Sequence, residues 1–312
     1  MSPEYHRILL IFVDGIGLAT GGPNNPLSVL PTPAVRDLLG GPLTLEQCRQ
    51  QDGLLLAPLD ATLGIEGLPQ SATGQTALFT GVNGAARLGR HVTGLPGPRL
   101  RAIVEEGNLL QAARERGLEA TFANAYTAEY LAALASGTRR PSVTSCAVLS
   151  SGLTPREIEE LHRGEAVSWD IVRDRFAEHV NEDLPPVTSE EAGVHLAKLA
   201  LQHHLTLYET FITDMAGHGR LGFTAEEALR RIDGLISGVI KMRDPRTTVL
   251  LASDHGNIEE SRDRRHTRNP VPLLAVGPLA SRFTDVRSIL EVTPRILECL
   301  TQPLDESAPH LL

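Results

Sequence analysis

The chain has 312 residues, 41% hydrophobic and 21% charged, enough to bury a large core in one α/β domain, with or without a small cap. Its formal net charge of -9 argues against a nucleic-acid binder, which normally carries a basic stripe. An anionic substrate stays open, because bound dications invert a local field. No stretch approaches the length of a membrane span, and residues 8–13 are too short for a signal-peptide core.

The three cysteines, Cys48, Cys146 and Cys299, are widely spaced and form no CxxC pair. They fit a reducing compartment, so a cytoplasmic protein is expected. Lysine occurs only at Lys198 and Lys241, so a phosphate-reading cation in this chain is expected to be an arginine fork.

Ile8–Val13 reads as a short buried strand, and Leu54–Ala57 as a weaker one stopped by Pro58. A Gly/Pro-rich loop then leads to a helix opening at Ser71 in GLPQSATGQTALFTG. Asn108 predicts an N-cap for LLQAARER, closed by Gly117, and Ala120–Ala123 predicts another strand. Residues 136–187 show poor periodicity and hold the sole Trp169, marking a small insertion in an otherwise single domain over 1–312.

Thr188 with Glu191 and Thr224 with Glu227 form capping boxes ahead of GVHLAKLALQHH and ALRRIDGLISGVIKM. Continuous apolar runs follow each helix, Leu205–Ile212 and Thr248–Ala252, and Val271–Val276 is a last strand. Thr293 and Pro294 start a C-terminal helix with proline at its first position. Apolar strands alternating with helices imply a largely parallel sheet covered on both faces, with ligands beyond the strands' carboxyl ends.

Acidic and histidine residues cluster at those ends. Asp14 follows ILLIFV, Asp214 and His218 follow LTLYETFIT, Asp254 and His255 follow TTVLLAS, and His266 lies shortly beyond. Three carboxylates and three imidazoles are what a pair of divalent metals needs. Asp14 precedes Gly15-Ile16-Gly17, but Gly21 comes one residue late for a dinucleotide fingerprint, and an acid would sit where pyrophosphate should lie. Ser71 would have the helix dipole and free backbone N–H groups beside it, which favour an anion; Thr73 is the competing nucleophile.

Taken together, VDGIG, GLPQSATGQTALFTG, TDMAGHG, and ASDHGN followed by HTRNPVPLLAVG resemble the alkaline phosphatase superfamily. The similarity is to the branch of cofactor-independent phosphoglycerate mutase and phosphopentomutase, and SILEVTPRILECL is similar to that branch's final helix. The resemblance implies a three-layer α/β/α sandwich with a mainly parallel central sheet. It also implies two divalent metals, manganese ahead of zinc. By its motifs, Asp14, Ser71, Asp254 and His255 match the ligands of one metal, and Asp214, His218 and His266 those of the other. Ser71 matches the nucleophile that becomes phosphorylated.

Gln70 departs from the pattern, since relatives often carry Asp or Asn before the nucleophile. The large inserted domain that recognises substrate in the mutases is also not recognisable. The expected activity is therefore a two-metal phosphoester hydrolase acting on a small phosphorylated substrate, with no nucleic acid and no membrane as partner. A phosphomutase, or a non-catalytic metal- or phosphate-binding protein, stands as the alternative. Arg87 and Arg90 are candidates for gripping phosphate, and Asn83, His91 and Asn124 for lining the same cleft.

Overall fold

A computed structural model describes residues 6–180 and 183–301. Seven strands make one sheet: β1 (Arg7–Val13), β2 (Arg49–Gln51), β3 (Leu54–Leu59), β4 (Ala120–Phe122), β5 (Leu205–Thr210), β6 (Thr247–Ala252) and β7 (Val271–Val276). Their spatial order is β2-β3-β7-β6-β1-β5-β4. Along β1, Ile8, Leu10 and Phe12 enter one apolar core, while Leu9, Ile11 and Val13 enter another on the opposite face. This alternation, with both faces apolar, is why the strand reads as a continuous hydrophobic run. The helices Ser189–Ala200 and Ala225–Met242 contribute to one core. The helices Ser71–Thr80, Val143–Ser150 and Val292–Thr301 contribute to the other, giving an α/β/α sandwich.

The sheet is mixed. The pairings β4–β5, β5–β1 and β1–β6 are parallel, whereas β6–β7, β7–β3 and β3–β2 are antiparallel. This arrangement assembles the site. β1, β3, β5 and β6 all point their carboxyl ends to one edge, and because β7 runs opposite to β6, the 253–270 loop between them opens at that edge too. His266 arrives there just before a strand rather than just after one.

Several local expectations need correction. β3 does not stop at Pro58 but continues to Leu59, with Pro58 opposite Pro272. Two prolines can face each other where the ladder exchanges no hydrogen bonds, and their positions lie beyond the pairings with β2 and β6, so no donor is missed. The apolar run Leu205–Ile212 splits at Thr210, because Ile212–His218 is already helical. The C-terminal helix begins at Val292, so Pro294 stands third, within a first turn whose N–H groups lack intrahelical partners.

Capping follows the residues. Asn108 accepts from the amides of Leu110 and Gln111, and Thr188 and Glu191 make a reciprocal box. Thr224 accepts from Glu227 N, but the Glu227 carboxylate turns to Arg231 instead of completing a box. Within 136–187, the helix Val143–Ser150 packs into the main core. Leu161, Ala166, Phe176 and Leu184 gather with Ala125 into a small core of their own. Residues 181–182 of that stretch lie outside the described residues.

Candidate metal centre

Ser71 is the first residue of its helix, and its Oγ lies 3.0 Å from His255 Nε2. The same nitrogen is 3.1 Å from Asp14 Oδ1 and 3.6 Å from Asp254 Oδ2. One turn along the helix, Gln75 is buried, and its amide donates to both Asp14 Oδ2 (3.0 Å) and Asp254 Oδ2 (3.2 Å). Gly74 makes the approach possible, since a Cβ there would stand 2.7 Å from the Asp254 carbonyl oxygen.

The second group lies alongside. His218 Nε2 and His266 Nε2 are 3.0 Å apart, and each is within 3.4 Å of Asp214 Oδ1. The i,i+4 spacing of Asp214 and His218 is realised on one helical turn. His266 Nδ1 lies 2.8 Å from the Pro69 carbonyl, and His218 hydrogen-bonds the Arg264 backbone. Such outer partners fix which nitrogen faces inward. The rings of His255 and His266 stack at 3.7 Å, joining the groups.

Donor chemistry and electrostatics fit cations. Asp14, Asp254 and His255 lie together as one possible ligand set, and Asp214, His255 and His266 as another. Asp14 Oδ1 is buried without a hydrogen bond. Burial, then the charge of Asp14, pushes the Asp254 carboxyl well above its ordinary range. Burial alone would depress His255, but the Asp254 and Asp14 carboxylates override it and hold the imidazole up to about 10. The ion-pair partners of the three carboxylates among the described residues are histidines only. A proton retained among crowded, buried acids marks a place short of positive charge, which a dication supplies.

The remaining candidates are placed differently. Asn83 caps the helix Gly84–Leu88 and donates to the Leu63 carbonyl, while Asn124 exchanges both of its hydrogen bonds with the Glu209 backbone. Both amides are thus engaged in holding backbone. Arg87 and Arg90 are exposed. His91 comes within 3.4 Å of Thr73 Oγ1, and burial lowers its pKa. Thr73 itself is fully buried and donates to the Gln70 carbonyl.

Sequence reading missed four polar residues. Gln75 carried a usable signal, standing i+4 from Ser71. Asn257 donates to Asp214 Oδ1 at 3.2 Å, and Glu259 is 2% exposed behind the loops. Glu209 is hidden in the apolar strand β5; burial, then the charge of Asp14, lifts its carboxyl to about 7 against a hydrogen bond from Thr144.

The model of the Metalloenzyme superfamily matches residues 177–302. The 2,3-bisphosphoglycerate-independent phosphoglycerate mutase of Desulforudis audaxviator (strain MP104C) is 37% identical over 98 residues, 29% of this chain and 19% of that protein. The corresponding mutase of Vibrio vulnificus (strain YJ016) is 30% identical over 103 residues, 29% of this chain and 20% of that protein. The matched segment thus spans about a fifth of the length of these relatives.

Among solved structures, phosphoglycerate mutase of Leishmania mexicana superposes with a TM-score of 0.58 at 10% identity, covering 98% of this chain and 97% of that one. Alkaline phosphatase from the Antarctic bacterium TAB5 gives 0.54 at 12%, covering 97% and 100%. These likenesses show the fold, and the family implies an enzyme with divalent metal ions. The C-terminal segment is thus similar to the Metalloenzyme superfamily, and the architecture is like that of alkaline phosphatase and phosphoglycerate mutase, which fits the resemblance carried by the sequence motifs.

Proposed function

We propose that the chain is a two-metal phosphoester hydrolase that works through a phosphoserine on Ser71. The observation that carries this is the Ser71 hydroxyl at a helix N-terminus, 3.0 Å from His255 and beside two acid–histidine groups that want cations. Asp14, Ser71, Asp254 and His255 would hold one ion, and Asp214, His218 and His266 the other. Mixed nitrogen and oxygen ligation suits Mn²⁺ or Zn²⁺ better than Ca²⁺, and the resemblance to the mutase branch puts Mn²⁺ first. When bound, the ions supply the charge that draws a phosphate dianion and acidifies hydroxyls beside it.

Ser71 Oγ forms the new bond to phosphorus as the bond to the leaving alcohol breaks, and that alcohol oxygen takes a proton. Water then cleaves the phosphoserine, returning a proton to Ser71 and releasing phosphate. The unpaired N–H groups of the first helical turn face the phosphate oxygens. Gln75 keeps Asp14 and Asp254 apart and oriented. Thr73 is unsuited to the nucleophile's role because its proton is committed to Gln70.

The segment about 136–187 belongs, in this reading, to a single catalytic domain and borders the cleft as a small insertion. Trp169 stacks on Phe211 at 4.6 Å, three residues before Asp214. No helix among the described residues is long and apolar enough to cross a membrane, and three free cysteines suit a cytoplasmic setting.

The test is phosphate release from a panel of phosphate esters by metal-stripped protein given Mn²⁺ or Zn²⁺. Release should require metal and fall on the order of 10³-fold or more in Ser71→Ala. Release that survives that substitution would sink the mechanism. The sequence matches to phosphoglycerate mutases favour a second reading, intramolecular phosphoryl transfer. Isomerised product with little free phosphate would select it.

A further inference from the structure

Glu259 sits behind the metal centre as a carboxylate that touches none of the proposed ligands directly, yet ties the loop after β1 to both ends of the 253–270 loop, and these two loops carry most of them. It is 2% exposed. Oε2 accepts from the amides of Gly17 (2.9 Å) and Asn257 (2.8 Å). Oε1 accepts from the Thr267 hydroxyl and from the Asn269 carboxamide (3.0 Å). Its partners among the described residues are thus neutral donors from the loop after β1 and from the start and end of the 253–270 loop. A buried carboxylate without a cation is costly unless donors surround it, and this one is surrounded.

The glycines on either side are shaped to it. A Cβ on Gly17 would collide with the Glu259 carboxylate, and a Cβ on Gly256 would collide with it and with Thr267 Oγ1. Two of the glycines next to the ligand motifs thus make room for a residue that is not itself a ligand.

From Glu259 two lines run to the second group. Asn257, held through its amide, donates its side chain to Asp214 Oδ1 at 3.2 Å. Thr267, held through its hydroxyl, immediately follows His266 in the chain. Asp14 and Asp254 have a separate brace in Gln75.

We propose that Glu259 is a positioning residue for the Asp214–His218–His266 half of the centre, setting its cation affinity through Asn257 and Thr267. This rests on the two-metal reading of the site. Outer-shell partners of metal ligands commonly control affinity by 10–100-fold, roughly the effect expected here.

The experiment is a Mn²⁺ titration of metal-free protein by calorimetry, with bound metal counted per chain, on wild type, Glu259→Ala, Glu259→Gln and Thr267→Val. Wild type should show two sites. Glu259→Ala should keep one at wild-type affinity and weaken the other about 10–100-fold. Glu259→Gln should lose less, because its amide oxygen still accepts from Gly17 and Asn257, while its NH₂ faces the Thr267 hydroxyl and the Asn269 carboxamide, each of which can turn to accept. Thr267→Val, which removes one brace without emptying the pocket, should weaken the same site if Glu259→Ala does not fold.

Two wild-type affinities in both Glu259→Ala and Thr267→Val would overturn the proposal. So would equal weakening of both sites together with a lowered melting temperature, the mark of a merely structural role. Wild type that binds no Mn²⁺ would overturn the two-metal reading and this inference with it. Two wild-type sites without any phosphoserine would overturn only the hydrolase mechanism.

Discussion

Gln75 bridges the two most buried acids of the centre through a single amide nitrogen, so its removal exposes Asp14 and Asp254 to each other. Gln75→Leu, similar in volume but without a donor, should weaken Mn²⁺ binding about 10–100-fold, read by titration. Glu209 gives a pH signature. Its carboxyl is lifted from an ordinary 4.5 to about 7, so between those values the folded state holds a proton that the unfolded chain has lost. Stability of the metal-free protein should therefore decline as pH rises through that window. Glu209→Gln should remove the decline, leaving the variant more stable at pH 8 by on the order of 1–2 kcal/mol, a figure discounted for the residue's partly exposed edge. Denaturant melts at pH 4.5 and pH 8 check this; equal gaps at both would contradict it. Asp14, Asp214, Asp254 and His255 were legible in the sequence because an apolar run precedes each, whereas His266, in a basic loop ahead of β7, was picked out by the family resemblance. Glu209 was not legible, since one acid inside an apolar strand shows no sign of what surrounds it.

At the scale of elements, close backbone approach decides what the chain tolerates. Gly193 and Gly238 let the helices Ser189–Ala200 and Ala225–Met242 touch, and a Cβ on Gly193 would collide with the Leu235 carbonyl. Gly193→Ala should destabilise the fold by about 1–3 kcal/mol through overpacking, while activity per folded molecule holds. A variant melting like wild type would refute that packing. Gly74→Ala pushes instead on the Asp254 loop, so it should cost metal affinity as well as stability. Caps at Asn108 and Thr188 were readable because side chain and helix start are neighbours in sequence. The continuation of β3 through Pro58 was not, because it depends on Pro272, distant in the chain and opposite in the ladder. The direction of β7 was equally hidden: an apolar run carries no sign of which way it runs.

For the whole molecule, seven strands in one sheet bring residues from Asp14 to His266 to a single edge, and the bound ions are expected to join the fold's two cores there. Because cations bind the folded chain only, saturation at about 100 times Kd should add ~2.7 kcal/mol per site. A chelator should then lower the melting temperature by roughly 5–10 °C. An unchanged melt would mean that the acids are satisfied without metal. The central claim, that phosphorus is transferred to Ser71, is most directly read by mixing the Mn²⁺-loaded protein with a phosphate ester, quenching in acid and mapping phosphopeptides. The expected result is a phosphoryl group on Ser71 that disappears without metal and in Ser71→Ala. Metal-dependent phosphate release with Ser71 never phosphorylated would contradict the mechanism.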